Sequence, residues 1–457
     1  MQRIIILFMI FSGMCGNTFS QANSGKLINQ TGKELKLKVS ENGRYLVYSD
    51  GTPFFWLGDT AWELFHRLNR EEADLYLEDR AKKGFTVIQA VALAELEGES
   101  RPNAYNEFPL TDKNPSKPNE KYFEHVDYIV NKAASLGLFT GMLPTWGIYW
   151  KTGTENKRRI FTVENARIYG EFLGKRYRDK PVVWILGGDN NPENDEEKAI
   201  IEAMANGLRA GDGGSHLITF HPRGPGRSSD YFHNAKWLDF NMYQSSHAAK
   251  GFDNGIFAEL DRKLLPEKPS LDGEPRYENI MEGFYNQGNH PAVKFTSYDA
   301  RTAAYWSILA GACGHTYGNN NIWQMWREGE KNVIGANIPW YEAINHPGSF
   351  EMTHLRKLFE SRDWQKLQPA QDLIVDGPLS GPAKVRAAIA SDGSFLIAYS
   401  AKGEPFTLNL DSLSSNRISE TWFDPRYGTT FNFHNTNTLS IKTFSPPNSG
   451  EGNDWIL

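Results

Sequence analysis

PVVWILGGD, residues 181–189, reads as a buried strand with a chemical end: six apolar positions, two glycines, then an acid. An apolar run without alternation is buried on both faces, as in a parallel sheet covered by helices. Similar runs lie on either side of it. They are PFFWLGD (53–59), FTVIQAVAL (85–93) and LFTGMLPTW (138–146) upstream, and HLITFHP (216–222), LDFNMYQ (238–244), KPSLDGE (268–274) and CGHTYGN (313–319) downstream. Helical patterns near 70–83, 120–136, 163–178, 195–210, 252–265 and 298–311 fill most of the gaps. Eight strands alternating with helices predict an α/β fold, a parallel (β/α)8 TIM barrel. The gap between the fifth and sixth strands is rich in Gly, Pro and Ser, so its helix is expected to be missing or degenerate.

The flanks read differently. In GRYLVYSDGTPFFWLGD (43–59), Asp50-Gly51 is a hairpin turn signal, and the run before it is expected to close the bottom of the barrel. Residues 21–42 are polar and read as a linker. Residues 1–20 carry Arg3, an apolar run from Ile4 to Phe11, and Thr18-Phe19-Ser20, the pattern of a secretory signal. The chain is therefore expected to be exported, most simply to a periplasm. A surface lipoprotein would need Cys15 as the acylated residue, and Met14 before it fits that role poorly. The apolar run is too short to span a membrane, and no second such run follows. Beyond the barrel, residues 384–410 alternate around Asp392-Gly393, and residues 418–433 add two more strand-like runs. These predict a small antiparallel β-sandwich over 365–457, after a barrel over 43–364. With Cys15 removed, Cys313 is alone and no intrachain disulfide forms.

The net charge of −6 and the absence of a basic run disfavour nucleic acid as a partner. Aromatic residues make up 13% of the chain. Sugar rings stack on aromatic faces, although a large α/β core buries aromatics as well. The sequence assigns no oligomeric state.

Barrel enzymes carry their chemistry at the C-terminal ends of the strands. Those ends here offer Asp59, Trp62 and His66; Trp146; Asp189, Asn190 and Asn191; His221; Tyr243, Gln244 and His247; Asp272, Glu274, Tyr277 and Glu278; His315 and Tyr317. Asp189 and Glu274 stand out, each preceded by glycine, at strands four and seven on opposite sides of the ring. A facing carboxyl pair is what glycosidic cleavage needs: one donates a proton, the other attacks or activates water. Either acid could instead cap a helix or pair with Arg276. Asp59 suits a substrate hydroxyl better than catalysis. Asp272 could support Glu274 or belong to a deeper barrel layer, and Glu278 is the alternative to Glu274. Arg276, Tyr277, His221 and Tyr243 are the donors expected to keep Glu274 ionised. The histidines have no tight metal-ligand spacing and no HExxH, so no metal and no cofactor is expected. No GxSxG occurs.

WILGGDNNP, LDGEPRYE, DGTPFFWLGDTAW and the closing WFDPRYGT, FSPP and DWIL resemble the apiosidase-like family, glycoside hydrolase family 140, over nearly the whole chain beyond the leader. The tail resembles the domain that family carries under a collagen-binding label, though nothing in residues 370–457 suggests collagen. The resemblance implies a barrel that removes terminal apiose from the side chains of the plant pectin rhamnogalacturonan II. It implies Asp189 as acid/base and Glu274 as nucleophile of a retaining mechanism. The wider group of such barrels has Glu preceded by Asn at the strand-four position, whereas this chain has Asp preceded by Gly188. That shorter acid bears on the carboxyl separation, ~5.5 Å for retention and ~6.5–9.5 Å for inversion.

Long loops after strands two and three predict a walled pocket and exo action on a plant cell-wall oligosaccharide, with Trp62, Trp146, Tyr243 and Trp323 as aromatic walls. Two other functions fit the same fold: a carbohydrate-binding barrel without turnover, and a metal-dependent hydrolase. Product release separates the first of these from a glycosidase, and chelator sensitivity the second.

Overall fold

The computed structural model describes residues 36–153, 156–285, 293–415, 417–432, 436–437 and 440–457. The expected signal and most of the expected linker lie outside the described residues. Three short strands come first, β1 (Leu37–Val39), β2 (Leu46–Tyr48) and β3 (Pro53–Phe54), in one antiparallel sheet. β1 falls inside the stretch read as linker. Its alternation buries Leu37 in the core, which is why this polar stretch is not free chain. The Asp50-Gly51 turn joins β2 to β3, with Gly51 at φ +91°.

Eight parallel strands then form the barrel: β4 (Trp56–Thr60), β5 (Val87–Val91), β6 (Phe139–Leu143), β7 (Val182–Gly187), β8 (Ile218–His221), β10 (Asn241–Gln244), β11 (Ser270–Asp272) and β12 (Gly314–Tyr317). A two-residue strand β9 (Gly226–Arg227) runs antiparallel on β10. The sheet order is β8-β7-β6-β5-β4-β12-β11-β10-β9. The ring is nearly closed between β8 and β10: Asp239 N–H donates to Ile218 O at 2.9 Å, its carboxylate accepts from Ile218 N at 2.7 Å, and Thr219 Oγ1 donates to Phe240 O at 2.7 Å. Every residue of the eight strands is buried, as unbroken apolar runs require.

Around the ring lie α1 (Leu64–Arg67), α2 (Arg70–Lys82), α3 (Glu120–Ser135), α4 (Val163–Tyr177), α5 (Asp195–Asp212), α6 (Ser229–Phe232), α7 (Gly255–Asp261), α8 (Ser297–Leu309), α9 (Asn320–Trp323), α10 (Trp340–Ala343) and α11 (Pro347–Glu360). Their starts are chemically marked. Asn69 and Glu72 form a capping box on α2, and Thr162 and Asn165 one on α4. α6 is the degenerate helix of the Gly/Pro/Ser-rich gap, only one turn long. α11, which the sequence pattern did not single out, starts with proline at its first turn and buries Met352, Leu355 and Phe359.

The remaining strands are β13 (Leu367–Pro369), β14 (Ile374–Asp376), β15 (Val385–Ala390), β16 (Leu396–Ser400), β17 (Phe406–Asn409), β18 (Arg417–Ile418), β19 (Thr421–Asp424), β20 (Thr429–Asn432), β21 (Thr436–Asn437), β22 (Ile441–Phe444) and β23 (Trp455–Ile456). They make a six-stranded sheet, β13-β15-β16-β23-β19-β20, a three-stranded sheet, β14-β17-β22, and the pair β18-β21, with every strand pairing antiparallel. The domain shares a core with the barrel, where Tyr305, Trp306 and Phe359 pack with Ile397, Tyr399 and Ile456. Across that junction Arg301 forks onto Asp454 at 2.8 and 2.5 Å and reaches Glu351 at 2.5 Å. Arg386 likewise pairs with Asp253 at 2.7 Å and Glu259 at 2.6 Å.

Candidate active site

The end of β7 is a backbone device. Gly187, Gly188 and Asp189 have φ of +96°, +87° and +57°, three successive residues in the left-handed region. A Cβ on Gly187 would sit 2.2 Å from His221 O, and one on Gly188 2.9 Å from Gly147 N. Only glycine fits either position, and Asp is among the few side chains that tolerate the third. Trp150 Nε1 donates to Gly187 O at 2.7 Å, and Gly147 N–H to Gly188 O at 2.8 Å. The chain thus turns sharply off the strand and leaves the Asp189 carboxyl facing the barrel mouth.

Glu274 stands two residues past β11. Asp272, the last residue of that strand, accepts from Ser245 Oγ at 2.6 Å and Asn254 Nδ2 at 2.8 Å. Gly273 N–H donates to Tyr243 O at 2.8 Å, and Gln89 Nε2 donates to Gly273 O at 3.0 Å. The backbone below Glu274 is therefore tied to neighbouring β10 and, across the ring, to β5. Its own carboxylate meets His247 Nε2 at 3.2 Å, while His221 Nε2 lies 3.1 Å away, off the hydrogen-bond axis. His221 Nδ1 accepts the Asp189 backbone N–H at 3.4 Å, so one imidazole joins the two acid-bearing ends.

Both carboxyls open into one cavity of about 210 Å³. Trp62, Trp146, Trp323 and Tyr277 supply its aromatic wall. Glu95, Arg223, Gln244, Ser246 and His247 give polar groups, and Ile280, Phe284, Val333 and Ile334 apolar ones. Trp62 and Trp146 stand 5.4 Å apart with planes at 56°, and Trp62 meets His221 edge-on at 5.5 Å. The two acids are driven in opposite directions. Burial, then the Glu274 charge, lifts Asp189 to about 7 against the pull of His221, Gln244 and Arg223. Burial acts upward on Glu274 as well, but the imidazoles of His221 and His247 outweigh it and hold that carboxyl well below the usual range. One cavity thus holds a carboxyl that keeps its proton near neutral pH and one that does not.

Of the residues the sequence singled out, Trp62, Trp146, Asp189, Gln244, His247, Glu274, Tyr277 and Trp323 line the cavity. His221 lies just behind them. Asn190 packs against Gly147 beside it. Asp59 does not reach a substrate: it is fully buried, and its Oδ2 meets Arg80 Nε at 2.7 Å and Tyr76 Oη at 2.6 Å, an internal ion pair away from the cavity. Tyr243 points outward from the ring, bonding Ser307 Oγ at 2.5 Å and stacking on Phe257. Tyr317 donates to Glu278 at 2.5 Å, and Glu278 also accepts Gly348 N–H at 3.1 Å, so neither faces the cavity. His315 is buried within the barrel, and burial pushes its pKa down to about 3. Arg276 turns to backbone carbonyls, Phe252 O at 2.6 Å and Asp299 O at 3.3 Å, and packs over Trp306 rather than on Glu274. His66 is bound to Glu63 at 2.7 Å. Strand alternation sends Asp59, Tyr243 and Tyr317 into the sheet-helix layer, whereas His66 sits on α1 and Arg276 and Glu278 follow β11 in a loop that turns them away from the cavity.

Glu95, Arg223, Ser246 and the Val333-Ile334 pair were not anticipated. Glu95 lies four residues past β5, and the same strand-end logic applied there would have found it. Among the described residues, no group of three or more His, Cys, Asp or Glu side chains is arranged to hold a metal ion. No described helix is long and apolar enough to cross a membrane.

Residues 40–366 match the family model described as "Apiosidase-like, catalytic domain". Residues 368–457 match the one described as "Putative collagen-binding domain of a collagenase". No curated protein matches the sequence. Among solved structures, one named a glycoside hydrolase is 35% identical, with a TM-score of 0.83 over 92% of this chain and 96% of its own. A second, described as a glycoside hydrolase family 5 from Bacteroides vulgatus, is 32% identical, with a TM-score of 0.84 over 92% and 91%.

Proposed function

Since this chain belongs to the apiosidase-like glycoside hydrolases, we propose that it releases a terminal sugar, apiose, from rhamnogalacturonan II side chains by a retaining mechanism. The observation that carries the reading is the pair of opposed carboxyls in one aromatic cavity. Asp189 donates its proton to the glycosidic oxygen as the bond to the anomeric carbon breaks. Glu274 forms the covalent bond on the opposite face. Asp189, now ionised, then takes a proton from water, whose oxygen displaces Glu274 and frees the sugar. His221 and His247 keep the attacking carboxylate ionised; its negative charge is neutralised as the bond to the anomeric carbon forms, while Asp189 gains charge as its proton leaves.

Exo action is supported by the walls. Glu95 comes from the loop after β5, Trp146 from the end of β6, and Trp323, Val333 and Ile334 from the segment after β12, so the cavity is closed on several sides. Its volume lies below the roughly 300–1,000 Å³ of pockets for drug-sized ligands, in keeping with a single terminal ring. The two carboxyls supply acid and nucleophile without a cofactor. An exported protein with residues 1–20 as its leader would meet such a wall fragment outside the cytoplasm.

The test is incubation with rhamnogalacturonan II and identification of the released monosaccharide. Apiose without shortening of the polymer backbone is the expected result; another sugar, or internal cuts, would overturn the substrate or the exo reading. For mechanism, Asp189→Ala should lose far less on an activated aryl glycoside than on the natural linkage. Azide should restore its rate and give a glycosyl azide of retained configuration. An inverted product, or equal losses on both substrates, would overturn the assignment.

A further inference from the structure

Glu95 has no role in the mechanism above, yet its placement is built. Ala94 O accepts Tyr149 Oη at 2.9 Å, Glu95 O accepts Arg158 Nη2 at 2.9 Å, and Leu96 N–H donates to Glu63 Oε1 at 2.9 Å. Three consecutive residues are thus pinned from two other segments, the β6–α4 connection and the start of α1. Glu63 is itself fixed by His66 Nδ1 at 2.7 Å. The side chain so held faces the cavity beside Asp189 and Glu274. Its carboxyl has no hydrogen bond and no ion pair among the described residues, although Arg158 is close enough to bind its backbone carbonyl. Neighbouring Glu99 shows the contrast: it takes Tyr149 Oη at 2.7 Å and Arg158 Nη2 at 3.4 Å.

A rigid loop that holds an unpaired carboxyl at a cavity wall leaves that group for a ligand. Resting on the glycosidase reading, we propose that Glu95 is a specificity-determining residue whose carboxyl hydrogen-bonds a hydroxyl of the bound sugar. It does so in its neutral form. Three carboxyls share this space, and Glu274 holds the negative charge through its two imidazoles. Burial, with the charges of Asp189, Glu63 and Glu274, pushes Glu95 well above the ordinary range. A neutral carboxyl offers one O–H donor and one acceptor, the complement of a sugar hydroxyl that both accepts and donates. Sugars lacking the matching hydroxyl leave that group unpaired, and a site of this kind discriminates strongly against them.

The experiment compares wild type, Glu95→Gln and Glu95→Ala on a panel of 4-nitrophenyl pentosides and hexosides that includes the apioside. The variants are measured on whichever glycoside the wild type cleaves. Cleavage of another member and not the apioside removes the apiose reading and still tests Glu95. Glu95→Ala should lose about 10- to 100-fold in kcat/KM, the scale of one lost hydrogen bond to a buried partner. Glu95→Gln, an isosteric neutral donor and acceptor, should stay within about threefold of wild type. The melting temperature of both should be unchanged or higher, because the carboxyl has no protein partner to lose. An active wild type with an unimpaired Glu95→Ala overturns the proposal. So does a Glu95→Gln variant as damaged as Glu95→Ala, which would mean an ionised or proton-transferring role. A loss explained wholly by a displaced alkaline limb of the pH profile overturns it too, since Glu95 would then act only through Asp189.

Discussion

Two groups of buried or half-buried carboxylates in this chain are treated in opposite ways. At the domain junction Asp454 and Glu351 share Arg301, and Asp253 and Glu259 share Arg386, with ion-pair distances of 2.5–2.7 Å. At the barrel mouth Asp189, Glu274 and Glu95 share one cavity, and none has a lysine or arginine within ion-pair distance among the described residues; Glu274 alone is met, by two histidines. A buried carboxylate with a guanidinium is a fixed charge that holds two surfaces together. One without a cation must keep its proton or meet a ligand. The difference separates joint from site, and it can be broken at either end.

The largest effect is expected at the mouth. Glu274→Gln should cut kcat on every substrate by on the order of 10⁴-fold or more, since no covalent intermediate forms. Melting temperature should change far less than activity. A variant that retains substantial turnover would move the nucleophile elsewhere, and Glu278 would be a poor replacement given its bonds to Tyr317 and Gly348.

At the joint the effects invert. Arg301→Ala leaves Asp454 and Glu351 buried without their cation and should cost about 3–5 kcal/mol by denaturant unfolding. Below its transition the variant should keep its kcat. If Arg301→Ala melts like wild type, the junction charges hold nothing together and the contrast fails.

A smaller effect carries a definite sign. Asp189 binds its proton more tightly folded than unfolded, so its contribution to stability falls as pH rises from about 4 through about 7. Asp189→Asn removes that penalty. Measured at pH 8, the variant should be more stable than wild type by on the order of 1 kcal/mol, and the gap should close towards pH 4. The wild-type rate should fall as pH passes about 7, where the donor loses its proton. An Asn variant less stable at pH 8 would mean that Asp189 is held as a paired anion, like the carboxylates of the joint.

The smallest effect is none. Two carboxyls provide both acid and nucleophile, so dialysis against EDTA should leave kcat/KM unchanged. A loss restored by one divalent ion would place a cation in the cavity and give the mouth the pairing it otherwise lacks.

Unbroken apolar runs such as VVWIL and helical repeats between them were enough to specify the eight-stranded barrel. Burial on both faces demands that pattern, and few folds satisfy it eight times. The alternation after residue 384 was likewise enough for the antiparallel domain; Gly187-Gly188-Asp189 was legible because a tight backbone turn at a strand end requires glycine, and Gly273-Glu274 because glycine before an acid marks a close approach, here of Met242. Which side of the strand each polar residue takes was not legible. Tyr243 and Gln244, consecutive on β10, take opposite layers, and Asp59 on β4 turns into an ion pair with Arg80 rather than to the mouth. Linear sequence suggested His221 as a partner of Glu274, but it could not bring Glu95 and His247 around the same two acids. Their sequence separations are large, and only closure of the ring converts them into neighbours whose charges and hydrogen bonds set which carboxyl keeps its proton.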